Sequence, residues 1–331
     1  NQELIDKVCL LENAEAGLAT ASGMAAVFAS TAGLLNQGDH VIASRSLFGS
    51  THQLMTKILP SFGITCTYVD GIEPETWESA VQSNTRMLLL ETPSNPGLQI
   101  INIQQCADFA NRHGLILNID NCFATPAITR PINLGAHIVT HSATKYMDGQ
   151  GRTLGGIIVG NTDLVEQIRY FVRHTGPALS PFNAWVLSKS LDTLFIRIKQ
   201  HSANAHFVAK AIEAHDDLVS LKYPFLPSHP QYETALKQMD YGGGILTLEI
   251  KGGPEKAAKF MDNLQLFNIS ANLGDTRSIV THPATSTHAR LTPEERQAVG
   301  ISDNLIRMSI GLEHAGDLVN DILMALRLSK Y

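Results

Sequence analysis

Short apolar runs of β type recur through the first half of the chain with helical patterns between them, and this alternation limits the fold more than any other feature. Strand-like runs stand at Ile64 to Val69, Met87 to Glu91 and Leu115 to Asp120, separated by segments such as TWESAVQ and IQQCADFANRHG. Alternating β and α at this spacing argues for an α/β fold, with a mostly parallel sheet flanked by helices on both faces. In such sheets ligands bind beyond the carboxyl ends of the strands. The polar residues at those ends are therefore the candidates for chemistry.

The most concentrated of these ends lies between His141 and Gly160, HSATKYMDGQGRTLGGIIVG. The run GAHIVTHS enters a turn, and a Gly-rich return leads into a second apolar run, GGIIVG. Lys145 sits at the bend, with Ser142 and Thr144 three and one positions before it. A lysine in a polar turn is ordinarily a solvated charge. Two hydroxyls beside one amine also suit a phosphorylated aldehyde: the amine condenses with the carbonyl while the hydroxyls hold the phosphate.

Other strand ends and helix starts add to this. In TASGMAA, residues Thr20 to Gly23 precede a helical pattern from Met24 to Leu35. Ser22 is either an ordinary cap or part of an anion site with the amides of Gly23 and Met24, where unpaired N–H groups and the helix dipole favour a phosphate. Phe48, in SRSLFGSTHQL, either packs under a loop or offers an aromatic platform. Asn95 is presented from the TPSNPG loop, as an Asx turn or as a ligand contact. Asp120 ends an apolar strand in LILNIDN, as a helix cap or as the carboxylate of a site at the strand ends. In LIRMSIGLE, alternation puts Leu305, Arg307 and Ser309 on one face and Ile306, Met308 and Ile310 on the other. Arg307 then needs an anion, from an internal salt bridge or from a bidentate substrate carboxylate.

With 331 residues, 44% hydrophobic and 17% charged, the chain can build a large core and is expected to split into two domains. The pattern from Phe182 toward His215 reads as one long connecting helix, with Trp185 and Phe195 on its apolar stripe as core residues. The expected division is 1–195 and 196–331, the second part a smaller α+β domain. A net charge of −6 without a basic patch points away from nucleic acid, and no apolar run reaches the length of a membrane span. Cys9, Cys66, Cys106 and Cys122 form no C-x-x-C pair, which fits a reducing cytoplasm. No H-E-x-x-H pattern occurs among the histidines, so no metal site is expected.

The segments SATKYMDGQGR, LGDTRSIVTHPATSTH, LSPFNAW and TASGMAA resemble the Cys/Met-metabolism family of pyridoxal-phosphate (PLP) enzymes. That family includes the cystathionine synthases and lyases, methionine γ-lyase and the homoserine-ester sulfhydrylases. The resemblance runs from Ala19 to Glu313 and implies the aspartate-aminotransferase-like PLP-dependent transferase fold. It implies PLP on Lys145, with Ser142, Thr144 and the Ser22-Gly23-Met24 segment on its phosphate. Asp120 would face the ring nitrogen, Asn95 the phenolic oxygen, and Arg307 the substrate carboxylate. Phe48 stands where most of the family has a ring-stacking tyrosine, so the platform survives without its hydroxyl. Asn272, in ANLGD, stands where relatives commonly have serine and is included for its backbone.

Within the resemblance, FGST, TASGMAA and the LSPFNAW run favour replacement of the ester group of O-succinylhomoserine by sulfide, giving homocysteine in methionine biosynthesis. Cystathionine γ-synthase and the cystathionine or methionine γ-lyases are the rival activities; a non-catalytic PLP-fold binding protein is the rival of a different class. The resemblance also implies a homotetramer built as a dimer of dimers. Relatives carry a Tyr-x-Arg segment, upstream of the first helix, that reaches the partner's phosphate. The chain opens at Asn1 within a helical pattern, so such an N-terminal arm is expected to precede it.

Overall fold

The computed structural model describes residues 1–289 and 291–329. They divide into two compact units, Asn1–Ser94 with Gln99–Leu194, and Asn95–Leu98 with Phe195–Tyr331.

Seven strands form the sheet of the first unit: β1 (Ala16–Thr20), β2 (His40–Ser44), β3 (Thr65–Val69), β4 (Thr85–Glu91), β5 (Ile116–Asp120), β6 (Ile138–Ser142) and β7 (Gly156–Gly160). Their order is β1-β7-β6-β5-β4-β2-β3, and only β7 runs against the rest. The seven helices are α1 (Gln2–Glu12), α2 (Gly23–Ala32), α3 (Gly49–Gln53), α4 (Pro74–Ala80), α5 (Ile103–His113), α6 (Thr162–Thr175) and α7 (Pro181–Leu191). Central strands covered on both faces must be apolar nearly throughout, and every residue of β2 and β7 is buried. On one face Ala26 and Ala29 of α2 pack with Ile138, Ile158, and Ile168 of α6.

Alternate residues of β5 and β6 point to opposite faces. Asn118 Nδ2 donates to Ser30 Oγ of α2 at 2.9 Å, whereas His141 of β6 meets Glu12 of α1 at 2.7 Å. Asp120 shares the face of Asn118. Two of the helices that flank the sheet are stopped by local chemistry: α5 and α6 end on left-handed Gly114 and Gly176, the conformation that favours glycine after a helix.

The second unit holds α8 (Leu194–Ile212), β8 (Leu218–Lys222), α9 (Tyr232–Gln238), β9 (Ile245–Ile250), α10 (Gly253–Asn263), β10 (Asn268–Ile269), β11 (Ile279–Thr281), α11 (Pro293–Ala298), β12 (Leu305–Ser309) and α12 (Ala315–Leu328). Its sheet has the order β10-β11-β12-β9-β8, antiparallel except between β10 and β11. Ile306, Met308 and Ile310 pack with Leu246, Leu248, Phe260, Leu318 and Ile322 in one core, as the alternation in LIRMSIGLE predicts.

Two expectations from periodicity fail. The single helix expected from Phe182 toward His215 is broken into α7 and α8, because the amides of Asp192 and Thr193 close tight i→i−3 bonds onto Lys189 and Ser190. Trp185 and Phe195, expected in the core, are 57% and 40% exposed. The ring of Trp185 lies 5.9 Å from that of Phe182, which is itself exposed. A helical stripe fixes which residues share a face, but not which face turns inward.

Candidate active site

Glu91, Asp120 and Ser142 finish β4, β5 and β6, three adjacent parallel strands, with Glu91 opposite Asp120 and Asp120 opposite Thr140. Ser142 is opposite Gly156 of β7, which is in turn opposite Thr20 of β1. The start of α2, three residues beyond Thr20, is thereby brought to the end of β6. A Cβ on Gly23 would come within 2.6 Å of Ser142 Cβ, and one on Gly156 within 2.0 Å of Ser22 O. Both positions require glycine for the close approach, not for an unusual backbone angle.

Ser22 caps α2 through its hydroxyl, which accepts from Ala25 N at 3.1 Å. By helix geometry the amides of Gly23 and Met24 have no carbonyl within the helix to bond, so two N–H groups and the positive dipole end remain beside Ser142. Met24 Sδ accepts from Thr51 Oγ1 at 3.7 Å, which ties α2 to α3. Phe48 is half-buried just before α3, and its N–H donates to the buried carboxylate of Glu91 at 2.7 Å.

The lysine turn is braced at several points. Lys145 N donates to Ser142 O at 3.2 Å, and Gly149 N donates to Lys145 O at 2.8 Å. Thr144 Oγ1 accepts from Gly155 N at 3.2 Å, so this hydroxyl also joins the turn to the return strand. Asp148, fully buried, accepts from Arg152 N at 2.7 Å and from Arg152 Nε at 3.1 Å. The half-buried Lys145 side chain is carried on this rigid frame.

Asp120 Oδ1 accepts from Cys122 N at 3.0 Å. Burial pushes its carboxyl above the usual range, to about 6, while the Cys122 amide and the charge of His141 pull it back. Cys122 reports the grouping of charges. Burial pushes its thiol up, Asp120 and Glu91 add to the rise, and Lys145 opposes it, so all three act on one sulfur. That sulfur lies 3.9 Å from Ser142 O.

In the second unit Arg307 is 1% exposed in the middle of β12. Nη1 donates to Asn95 Oδ1 at 2.8 Å, and Nη2 donates to the carbonyls of Ala271 and Asn272, each at 3.1 Å. Asn95 is thus engaged through its carbonyl oxygen, which leaves its amide N–H groups as donors. Asn272 meets Arg307 through its backbone carbonyl.

Pyridoxal phosphate needs an amine for its aldehyde, donors for its phosphate and an anion for its ring nitrogen. Within the first unit Lys145, the α2 amides with Ser142, and Asp120 would supply that set at the carboxyl ends of β5 and β6. The fit is supported most by Asp120, whose raised carboxyl marks a charge that a bound cation would stabilise. Sequence reasoning gave no role to Glu91, Asp148, Arg152, Glu12 or His141. The i,i+4 spacing of Asp148 and Arg152 was the one local signal among them; the other contacts span tens of residues.

Comparison with known proteins agrees with this chemistry. The family model described as "Cys/Met metabolism PLP-dependent enzyme" matches residues 1–327. O-succinylhomoserine sulfhydrylase of Pseudomonas aeruginosa is 44% identical over 321 residues, covering 97% of this chain and 80% of that protein. L-methionine gamma-lyase of Porphyromonas gingivalis is 41% identical over 320 residues, covering 96% and 80%. The crystal structure of cystathionine gamma-lyase from Lactobacillus plantarum complexed with L-serine superposes with a TM-score of 0.95 at 33% identity, covering 99% of this chain and 86% of that one.

Proposed function

Because the chain belongs to the Cys/Met-metabolism family of PLP-dependent enzymes, and so has their aspartate-aminotransferase-like fold and their cofactor, we propose that it replaces the ester group of O-succinylhomoserine with sulfide. The products are homocysteine and succinate. The observation that carries this reading is the gathering of Lys145, Asp120 and the α2 amides at the ends of β5 and β6.

Pyridoxal phosphate, when bound, supplies an electrophilic aldehyde carbon and a ring that accepts the electron pair left when substrate Cα loses its proton. Lys145 Nζ would hold the aldehyde until substrate arrives and, once displaced, would take the proton from Cα, give it up to the former aldehyde carbon, and so be free to take the proton from Cβ. Removal of the Cβ proton lets the γ-acyloxy group leave with its electron pair, and sulfide then adds at Cγ. Lys145 returns the protons in reverse order. Asp120 opposes the positive charge of the ring nitrogen, the amides of Gly23 and Met24 with Ser142 and Thr144 hold the phosphate, and Phe48 packs against the ring. Arg307 binds the α-carboxylate through its fork, with Asn95 and the Asn272 carbonyl setting the plane of the guanidinium.

The resemblance carried by FGST, TASGMAA and LSPFNAW, with the similarity to O-succinylhomoserine sulfhydrylase, supports the succinyl ester and sulfide as the pair to assay first. The same resemblance supports a homotetramer of paired dimers that works in the cytoplasm in methionine biosynthesis. Assays of succinyl- and acetyl-homoserine with sulfide or cysteine, and of methionine alone, test the choice. The highest kcat/KM is expected for the succinyl ester with sulfide. Faster breakdown of methionine without added nucleophile would replace this reading with γ-elimination.

A further inference from the structure

Arg45 directly follows β2, at the carboxyl end of the parallel strands. In the three residues after each of the parallel strands β1 to β6, only Arg45 and Lys145 carry a positive charge. Lys145 belongs to the site already described. Arg45 has no part in it.

Strand pairing fixes the face on which Arg45 lies. Its N–H donates to Val69 O at 3.0 Å, so β2 stays paired with β3 beyond Ser44. Val41 and Ala43 pack with Val27 of α2 and with Met87 and Leu89 of β4. Alternation carries Arg45 and Glu91 to that same face, the one on which Asn118 reaches α2 and Asp120 follows it. Register then sets them in a row. Ala43 is opposite Leu89, and Glu91 is opposite Asp120, so Arg45 falls beside Glu91 with Asp120 on the strand beyond. At the ordinary spacing between strands the Cα atoms of Arg45 and Asp120 are about 10 Å apart.

The backbone at Arg45 is held, and its side chain is not. Its carbonyl accepts from the N–H of buried Leu47 at 3.0 Å, and Ser46 Oγ donates to Gln99 Oε1 at 2.5 Å. The residue is exposed, and its guanidinium makes no ion pair or hydrogen bond among the described residues. The segment that carries it also carries Phe48, whose N–H donates to Glu91. An exposed arginine is ordinarily only solvated. Here the charges in its row are acidic: Glu91 and Asp120 would repel an anion entering along the strand ends, and Arg45 is the group that offsets them. Its fork suits a carboxylate brought by a ligand.

We propose that Arg45 binds the free carboxylate at the far end of the succinyl leaving group, and so sets the choice of the succinyl over the acetyl ester. This rests on the reaction proposed above. The acetyl ester has no second carboxylate, so only the succinyl ester can use the fork. The contact is made away from the reacting atoms, equally in the bound substrate and in the transition state, so it acts on KM more than on kcat.

The test is steady-state kinetics of the holoenzyme with sulfide and either ester, for the wild type, Arg45→Gln and Arg45→Lys, with inhibition by succinate measured alongside. In Arg45→Gln the ratio of kcat/KM for the succinyl ester over the acetyl ester should fall about tenfold, through KM for the succinyl ester, and succinate should inhibit more weakly by a similar factor. Arg45→Lys keeps the charge without the fork and should fall between the two. Equal losses on both esters, or an unchanged ratio in a chain that prefers the succinyl ester, would overturn the inference and leave the reaction standing. A wild type without that preference would remove the proposed choice of ester and this role of Arg45 together.

Discussion

Asp120, at the end of a parallel strand in the first unit, and Arg307, in the middle of antiparallel β12 in the second, carry opposite charges in differently built surroundings. Arg307 is held by Asn95 and by the carbonyls of Ala271 and Asn272, acceptors that carry no charge and fix the plane of the guanidinium. Asp120 is half-buried, takes one backbone N–H from Cys122, and is raised by burial toward its neutral form. The fold thus fixes the direction of the arginine. It leaves the charge of the aspartate to be settled by what binds.

Replacing Asp120 by Asn breaks the comparison most severely. With the ring charge unopposed, kcat should fall on the order of 10²- to 10³-fold, as when a preorganised electrostatic contact is removed. The apo variant should nevertheless unfold at pH 7 no lower in temperature than the wild type. A carboxyl raised in the folded chain weakens folding as pH climbs from its ordinary value toward about 6, and Asn abolishes that penalty. A calorimetric scan showing strong destabilisation would instead make Asp120 a structural cap.

The smaller effect belongs to Arg307. Arg307→Lys keeps the charge but loses the two-pronged contact, worth about 1.5–3 kcal/mol for a charged hydrogen bond, so KM for the amino-acid substrate should rise about 10- to 100-fold with kcat changed less. Steady-state kinetics with the ester varied would show it. An unaltered KM would leave Arg307 as an internal tie to Asn95 and to the Ala271 and Asn272 carbonyls.

What could be read from the sequence follows the same division between local and distant. Lys145, Ser142 and Thr144 share one turn, and the alternation at 305–310 puts Ile306, Met308 and Ile310 into the core of the second unit. The Arg307 to Asn95 bond spans 212 positions and the His141 to Glu12 bond 129, so neither leaves a mark in any local pattern. Trp185 and Phe195 failed for a related reason: spacing groups residues on a helix without saying what packs against them. The break at Asp192 and Thr193 was likewise hidden, since two weak helix formers within a long periodic run still read as helix.

Trapping the cofactor tests the central claim most directly. The chain would be loaded with pyridoxal phosphate, reduced with borohydride, digested and mapped by mass spectrometry, with Lys145→Ala treated alongside. The reduced cofactor should appear on the peptide bearing Lys145 and be missing from that variant. Label on a different lysine, with Lys145 unmodified, would contradict the site.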